Sequence, residues 1–106
     1  GGVEFVPQFL DEIEPEKILI RIARNLKNSY TESFNYEKSM HCINFILSTE
    51  PNAVEEVRDK GILEARLLHY DLALESLNRY LELSPEADDV DDILDLIRGI
   101  KERASQ

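Results

Sequence analysis

Two stretches of this chain align with each other at an offset of 34 residues, and this internal repeat restricts the folds open to it. Tyr36 falls on Tyr70, Pro51 falls on Pro85, and several apolar, arginine and small residues follow the same offset. A unit of this length typically contains two helices and two turns, with a proline near its end. One such unit cannot bury its apolar face alone, so neighbouring units stack. The repeat therefore predicts an all-α stack of antiparallel helix pairs.

Apolar residues at helical spacing place five helices along the chain. We expect them at about 15–32, 36–49, 53–67, 70–83 and 89–104. Asn35 is expected to cap the second helix, and Asn52 with Glu55 resembles the capping box of the third. Gly61 and Leu68 are assigned to the buried side of the third helix.

The repeat also divides the chain into domains. Residues 1–14 are an apolar lead-in segment, and 15–106 are expected to form the helical domain. We place the two repeats at about 20–53 and 54–87. The helix at about 89–104 has a single apolar stripe and a charged back, which is typical of the capping helix of a stack.

Composition excludes several classes of partner. The chain has 22 acidic and 12 basic residues, a net charge of −10, which repels nucleic acid and anionic membranes. No apolar run approaches the roughly 20 residues needed to cross a bilayer. There is no signal-peptide pattern and only one cysteine, so a cytoplasmic location is expected. Because the chain starts with Gly1 and has Met40 as its only methionine, we expect it to be a piece of a longer protein.

With the repeats aligned, the chain resembles a tetratricopeptide array of two repeats plus a capping helix. Gly61 stands where the first helix of such a repeat needs a small residue, and Ser39 and Ala73 stand at the small position of the second helix. The first repeat departs from the pattern, because Lys27 occupies its small position, and both repeats lack the family's early tryptophan. The resemblance implies a protein-binding module rather than an enzyme.

A narrower resemblance concerns the parent protein. Segments 24–30 and 57–63, with the lead-in Phe5-Val6-Pro7, are similar to the C-terminal tail of bacterial transglutaminase-like proteins that end in tetratricopeptide repeats. In that family the catalytic cysteine, histidine and aspartate lie in an upstream domain, and Cys42 does not stand in for the nucleophile. The resemblance therefore implies no catalytic residue in this chain.

The residues themselves also indicate no active site, cofactor or metal centre. His41 and Cys42 are neighbours in sequence, so on a helix their side chains point about 100° apart and do not face each other. The aspartates at 88–92 lack the glycine and the bidentate glutamate of a calcium loop, and they suit a helix N-terminus.

The concave face is the most promising surface. In a tetratricopeptide stack the first helix of each repeat lines this face, and arginine binds carboxylates with a two-pronged fork. We therefore predict a groove that binds a protein or peptide partner, with Glu55, Thr31 and Ala65 nearby. Its predicted contact residues are Arg21, Arg24, Asn28, Arg58, Ile62 and Arg66. The alternative is that Arg24 and Arg58 pair with Glu55 and Asp59 as part of the packing.

A second surface is suggested by a difference between the repeats. Phe45 falls on Arg79 and Cys42 on Ser76, and the two residues of the second repeat are expected to face water. We expect the lead-in segment to cover Phe45, or Phe45 to pack between the second and third helices. An uncovered patch would allow self-association through Phe45 and the lead-in.

These observations lead to one expected function and two alternatives. The chain is expected to be a protein–protein interaction module that binds a partner or the upstream domain of its own protein. The alternatives are a small acidic secretion chaperone of tetratricopeptide type, and the non-catalytic part of an enzyme whose active site lies upstream.

Overall fold

A computed structural model describes residues 15–106, which form five α-helices and no strand. The helices are α1 (Pro15–Glu32), α2 (Tyr36–Thr49), α3 (Val54–Arg66), α4 (Tyr70–Leu83) and α5 (Val90–Ala104). Each helix begins and ends within one residue of its predicted bounds, so the all-α fold is confirmed. The lead-in segment lies outside the described residues.

The chain divides into two compact units, a first unit that ends at Phe45 and a second unit from Ile46 to Gln106. In the first unit α1 is joined to α2 by a buried hydroxyl at the small position. The Oγ of Ser39 is 0% exposed and lies 2.6 Å from the Oγ1 of Thr31, and both hydroxyls reach the carbonyl oxygen of Lys27. The short side chain of Ser39 thus places its hydroxyl against the backbone of the neighbouring helix.

Both turns inside the helix pairs have the same backbone. Phe34 and Leu68, which correspond at the 34-residue offset, have φ of 62° and 65°. In each turn the next residue donates its N–H across the turn, from Asn35 to the Tyr30 carbonyl and from His69 to the Glu64 carbonyl, both at 2.8 Å. This is the bond of a left-handed helix end, where glycine is usual. The two repeats therefore share a positive φ at this turn, although Phe34 and Leu68 are not residue types that indicate it.

The left-handed turn corrects one prediction. Leu68 was assigned to the buried side of α3, but it is 66% exposed. A residue with positive φ leaves the helical path, so its side chain no longer follows the periodicity of the helix before it. Helical spacing cannot be extended past such a turn.

The second unit is built around a close contact between α3 and α4. A Cβ added to Gly61 would lie 2.7 Å from Cγ and Cδ2 of Leu77, which confirms the predicted close approach. Leu77 belongs to the core to which α3, α4 and α5 all contribute. This core contains Val57, Ala73, Leu77, Tyr80, Ile93, Ile97 and Ile100.

At the start of α2, Asn35 accepts a 3.4 Å hydrogen bond from the N–H of Lys38, as expected for its cap. Two other side-chain predictions are wrong. Asn52 does not cap α3: that helix has Ala53 at its N-cap without a side-chain bond, and Oδ1 of Asn52 accepts from Nη2 of Arg79 at 2.7 Å. Ser76 does not face water. It is 9% exposed and donates to Oε1 of the buried Glu64 at 2.6 Å.

Candidate functional site

A cleft of about 590 Å³ lies between α3 and α5 in the second unit. It brings together three residues that were predicted on the concave face, Ile62, Ala65 and Arg66. The lining residues are Ile62, Ala65, Arg66, Leu68, Tyr70, Asp95, Leu96, Gly99, Ile100 and Arg103. Pockets of this size, mainly apolar with a few polar groups, are typical of ligand sites.

The interior of the cleft has room for a side chain. A Cβ added to Gly99 would meet no atom within 4 Å, so this stretch of α5 leaves open space. Leu68, held in solvent by its left-handed backbone, stands at the edge of the same cleft. The cleft therefore offers both an apolar surface and a place into which a partner's side chain can insert.

The α5 side of the cleft was missed by sequence reasoning, although a signal for it was present. The 34-residue offset, applied once more, carries Ile62 onto Leu96 and Ala65 onto Gly99. Assigning α5 only a capping role hid this relation. Helix α5 therefore corresponds to the first helix of a third repeat. It completes the cleft as well as covering the core.

Two arginines lie at the cleft in this acidic chain. Arg66 is in the last turn of α3 and Arg103 is in the last turn of α5. Asp95, which also lines the cleft, pairs with Arg98 at 3.1 Å, but both side chains are about 70% exposed and such pairs contribute little. The cleft thus has an apolar surface with guanidinium groups at its margin.

Arg58 is placed in a charged network instead of in the cleft. Its Nε and Nη2 donate to Oδ1 of Asp59 at 3.2 and 3.1 Å, and its Nη1 donates to Oδ2 of Asp89 at 3.3 Å. Glu55 lies 3.9 Å away, and the guanidinium carbon is 6.0 Å from the ring centre of Tyr80. Arg58 therefore ties α3 to the residue that precedes α5, and the pairing with Glu55 and Asp59 that we considered for it is present.

The network shifts the ionisation of its members. Desolvation acts to lower the pKa of Arg58, but the carboxylates of Asp59 and Asp89 outweigh it and raise that pKa. Tyr80 Oη donates to Oδ1 of Asp89 at 2.5 Å, which lowers the pKa of Asp89 and raises the pKa of Tyr80. At neutral pH the network therefore holds a charged arginine, a charged aspartate and a neutral phenol.

The remaining predicted contact residues share one side of α1. Arg21, Arg24 and Asn28 recur at helical spacing, with Arg21 and Asn28 exposed and Arg24 half-buried. They belong to the first unit. The hydroxyl of Thr31, also predicted near this surface, is engaged with Ser39 and Lys27. Arg21, Arg24 and Asn28 thus form a polar strip on α1.

Other candidate chemistry has little support in residues 15–106. No group of three or more His, Cys, Asp or Glu in this range could hold a metal ion. Burial raises the pKa of the half-buried Cys42 thiol, so the reactive thiolate is disfavoured. Within the described range, no helix has the length and apolar character to cross a membrane.

Comparison with known proteins identifies the family of this sequence. The family model described as tetratricopeptide repeat matches residues 26–98. A UPF0162 protein of Xylella fastidiosa (strain Temecula1) is 36% identical over 92 residues, which cover 87% of this chain and 31% of that protein. Protein SirB1 of Salmonella typhimurium (strain LT2) is 28% identical over 96 residues, which cover 91% of this chain and 34% of that protein. The chain therefore spans about a third of the length of these curated relatives.

Proposed function

Because the chain belongs to the tetratricopeptide repeat family, we propose that it is a protein–protein interaction module whose partner binds in the cleft between α3 and α5. The observation that carries this proposal is the cleft itself, with its apolar lining and the open space beside Gly99. A partner's apolar side chain inserted there would remove from water the exposed surface of Leu68 and the half-buried Ile62 and Leu96. Such central apolar anchors usually dominate the energy of an interface.

The arginines favour a carboxylate-bearing partner. Arg66 and Arg103 stand at the cleft of a chain whose net charge is −10, so they form a local cationic site in an anionic surface. Guanidinium groups bind carboxylates with two parallel hydrogen bonds. We further propose that the polar strip of Arg21, Arg24 and Asn28 is a separate protein-contact surface of the first unit, and that Arg58 serves the cleft indirectly by holding the start of α5.

The natural partner is proposed to be either a separate protein or the upstream domain of the same protein. The relatives are about three times as long as this chain, which is consistent with a repeat domain that forms part of a larger protein. The similarity of segments 24–30 and 57–63 to transglutaminase-like proteins supports an upstream domain of that kind. Any catalytic residues of such a parent would lie in that domain.

A peptide selection tests the proposal directly. We would select random 12-residue displayed peptides on the immobilised domain, synthesise the enriched consensus, and measure its binding by fluorescence anisotropy. Gly99→Leu should fill the cleft and weaken binding by at least about tenfold, or about 1.4 kcal/mol. Gly99→Ala is the matched control, because its methyl group leaves most of the space open.

The outcomes distinguish the parts of the proposal. If no peptide is enriched over an unrelated helical protein, peptide binding is rejected. If the consensus peptide binds wild type and Gly99→Leu equally, the cleft is not its binding site. Weaker binding of any selected peptide by Arg21→Ala with Arg24→Ala, at an unchanged melting temperature, would support the strip as a contact surface of the first unit.

A further inference from the structure

Helix α1 has an apolar surface in addition to the face that it buries. Ile20 and Ala23 are 2% and 6% exposed, as expected for a helix packed on its neighbour. Leu19, Ile22 and Leu26 are 52%, 49% and 42% exposed, although all three are large aliphatic residues. They recur at i, i+3 and i+7, so they form one continuous stripe, which we call the α1 flank.

The α1 flank is distinct from the surface proposed to bind a partner. At 3.6 residues per turn, the flank and the polar strip of Arg21, Arg24 and Asn28 lie about 160° apart around the helix. Single exposed aliphatic residues are ordinary, but aligned ones mark a surface that something covers. The helix pair of the first unit leaves this stripe without a cover among residues 15–45.

We propose that residues 3–10 of the same chain pack along the α1 flank. Five of these eight residues are apolar: Val3, Phe5, Val6, Phe9 and Leu10. They are joined to the N-terminal end of α1 through residues 11–14, a link that spans up to about 13 Å and is long enough to reverse direction. Eight extended residues reach about 26 Å, whereas Leu19 and Leu26 are separated by about 10 Å along the helix.

The tether favours this occupant over a second copy of the chain, because only four residues separate residues 3–10 from the start of α1. Two whole copies, each with a net charge of −10, repel each other. A tethered segment also acts at an effective concentration in the millimolar range, above that of a free partner in a dilute solution.

The α1 flank is a more favourable packing surface for residues 3–10 than Phe45, the residue that the lead-in segment was expected to cover. Phe45 is 42% exposed and is a single side chain on α2. The flank presents three aligned side chains on the helix to which the segment is directly joined. More apolar surface is therefore removed from water at a smaller cost of loop closure.

A tryptophan reporter tests the proposal, because the chain has no tryptophan of its own. In a Phe9→Trp variant the emission should be blue-shifted and protected from acrylamide quenching. Adding Ile22→Lys should shift the emission to the red and restore quenching. Asn25→Lys, at an exposed polar position on the same helix, is the matched control and should change neither signal.

The melting temperature provides a second, independent test of the proposal. Ile22→Lys should lower the melting temperature of the full chain, but it should have a much smaller effect in a chain that lacks residues 1–10. Solvent-exposed emission from Phe9→Trp, or a blue shift that persists with Ile22→Lys, would overturn the proposal. A blue shift that grows with protein concentration together with a dimeric mass would assign the flank to a second copy, and would overturn it too.

Discussion

At the scale of single residues, two helical glycines in the second unit have opposite surroundings. A Cβ on Gly61 would lie 2.7 Å from the side chain of Leu77 and 3.2 Å from its backbone nitrogen. Leu77 is 0% exposed and belongs to the core, so its side chain is enclosed by protein atoms. A Cβ on Gly99 would meet nothing within 4 Å. One glycine permits a helix contact, whereas the other leaves a cleft open.

The same substitution at the two positions should therefore have opposite effects on stability. Gly61→Leu should lower the free energy of unfolding, since overpacking a dense core costs about 1–3 kcal/mol. Gly99→Leu should be neutral or raise it, because leucine favours the helix over glycine by up to about 1 kcal/mol. Urea denaturation followed by circular dichroism measures both. Equal effects of the two variants would contradict the proposed contact at Gly61.

At the scale of elements, a short polar junction fixes the start of α5 against α3 and α4. Asp89 accepts hydrogen bonds from Tyr80 on α4 and from Arg58 on α3. The four aspartates at 88–92 resemble a simple helix start, and from the sequence they were interpreted in that way. The structure shows that one of them also joins three helices.

Tyr80→Phe should test this junction while keeping the buried ring. The variant should lose about 1.5–3 kcal/mol of stability at pH 7, the usual contribution of a hydrogen bond to a charged group. Chemical denaturation of the variant and wild type measures the loss. Tyr70→Phe, on the same helix, is the matched control, because the Tyr70 hydroxyl has no hydrogen bond to protein within residues 15–106.

The effect of Tyr80→Phe should depend on pH in one direction. The hydrogen bond lowers the pKa of Asp89 in the folded state. Its stabilisation is therefore complete above the pKa of an unfolded aspartate, about 3.9, and is lost as the pH falls through the lower folded-state value. The difference between wild type and Tyr80→Phe should shrink below about pH 4. A difference that stays constant from pH 7 to pH 2 would show that Asp89 is not the acceptor that matters.

At the scale of the whole molecule, the second unit depends on its last helix. Ile93, Ile97 and Ile100 of α5 are 4%, 6% and 3% exposed and belong to the same core as α3 and α4. Burying one such side chain contributes about 1.5–3 kcal/mol, and a domain of this size has a net stability of only about 5–15 kcal/mol. The helix that completes the cleft thus also supplies a large part of the core.

Removal of residues 88–106 should therefore abolish cooperative unfolding of the second unit and expose apolar surface. Thermal melting by circular dichroism and binding of a dye specific for exposed apolar surface would measure the two effects. Removal of Ser105 and Gln106 alone, both exposed, is the control and should leave the melt unchanged. A chain ending at Ala87 that still melts cooperatively near the wild-type temperature would contradict the role given to α5.

The sequence by itself determined the helices, the repeat family and the close contact at Gly61. These features depend on local signals, such as apolar spacing, prolines at helix ends and a small residue at a fixed offset. Each signal acts within one helix or one repeat, so it can be recognised without coordinates. The same offset would also have indicated Leu96 and Gly99, had α5 been treated as part of a third repeat.

Only the tertiary structure decided which partner each polar side chain has. Arg58 could have faced a groove or its own helix, and its bond to Asp89 joins residues that are 31 positions apart. Asn52 was drawn away from the start of α3 by Arg79, and Ser76 was buried against Glu64. Leu68 left the core because its turn adopts positive φ without a glycine to mark it. Such outcomes depend on competition between distant groups, which residue periodicity does not record.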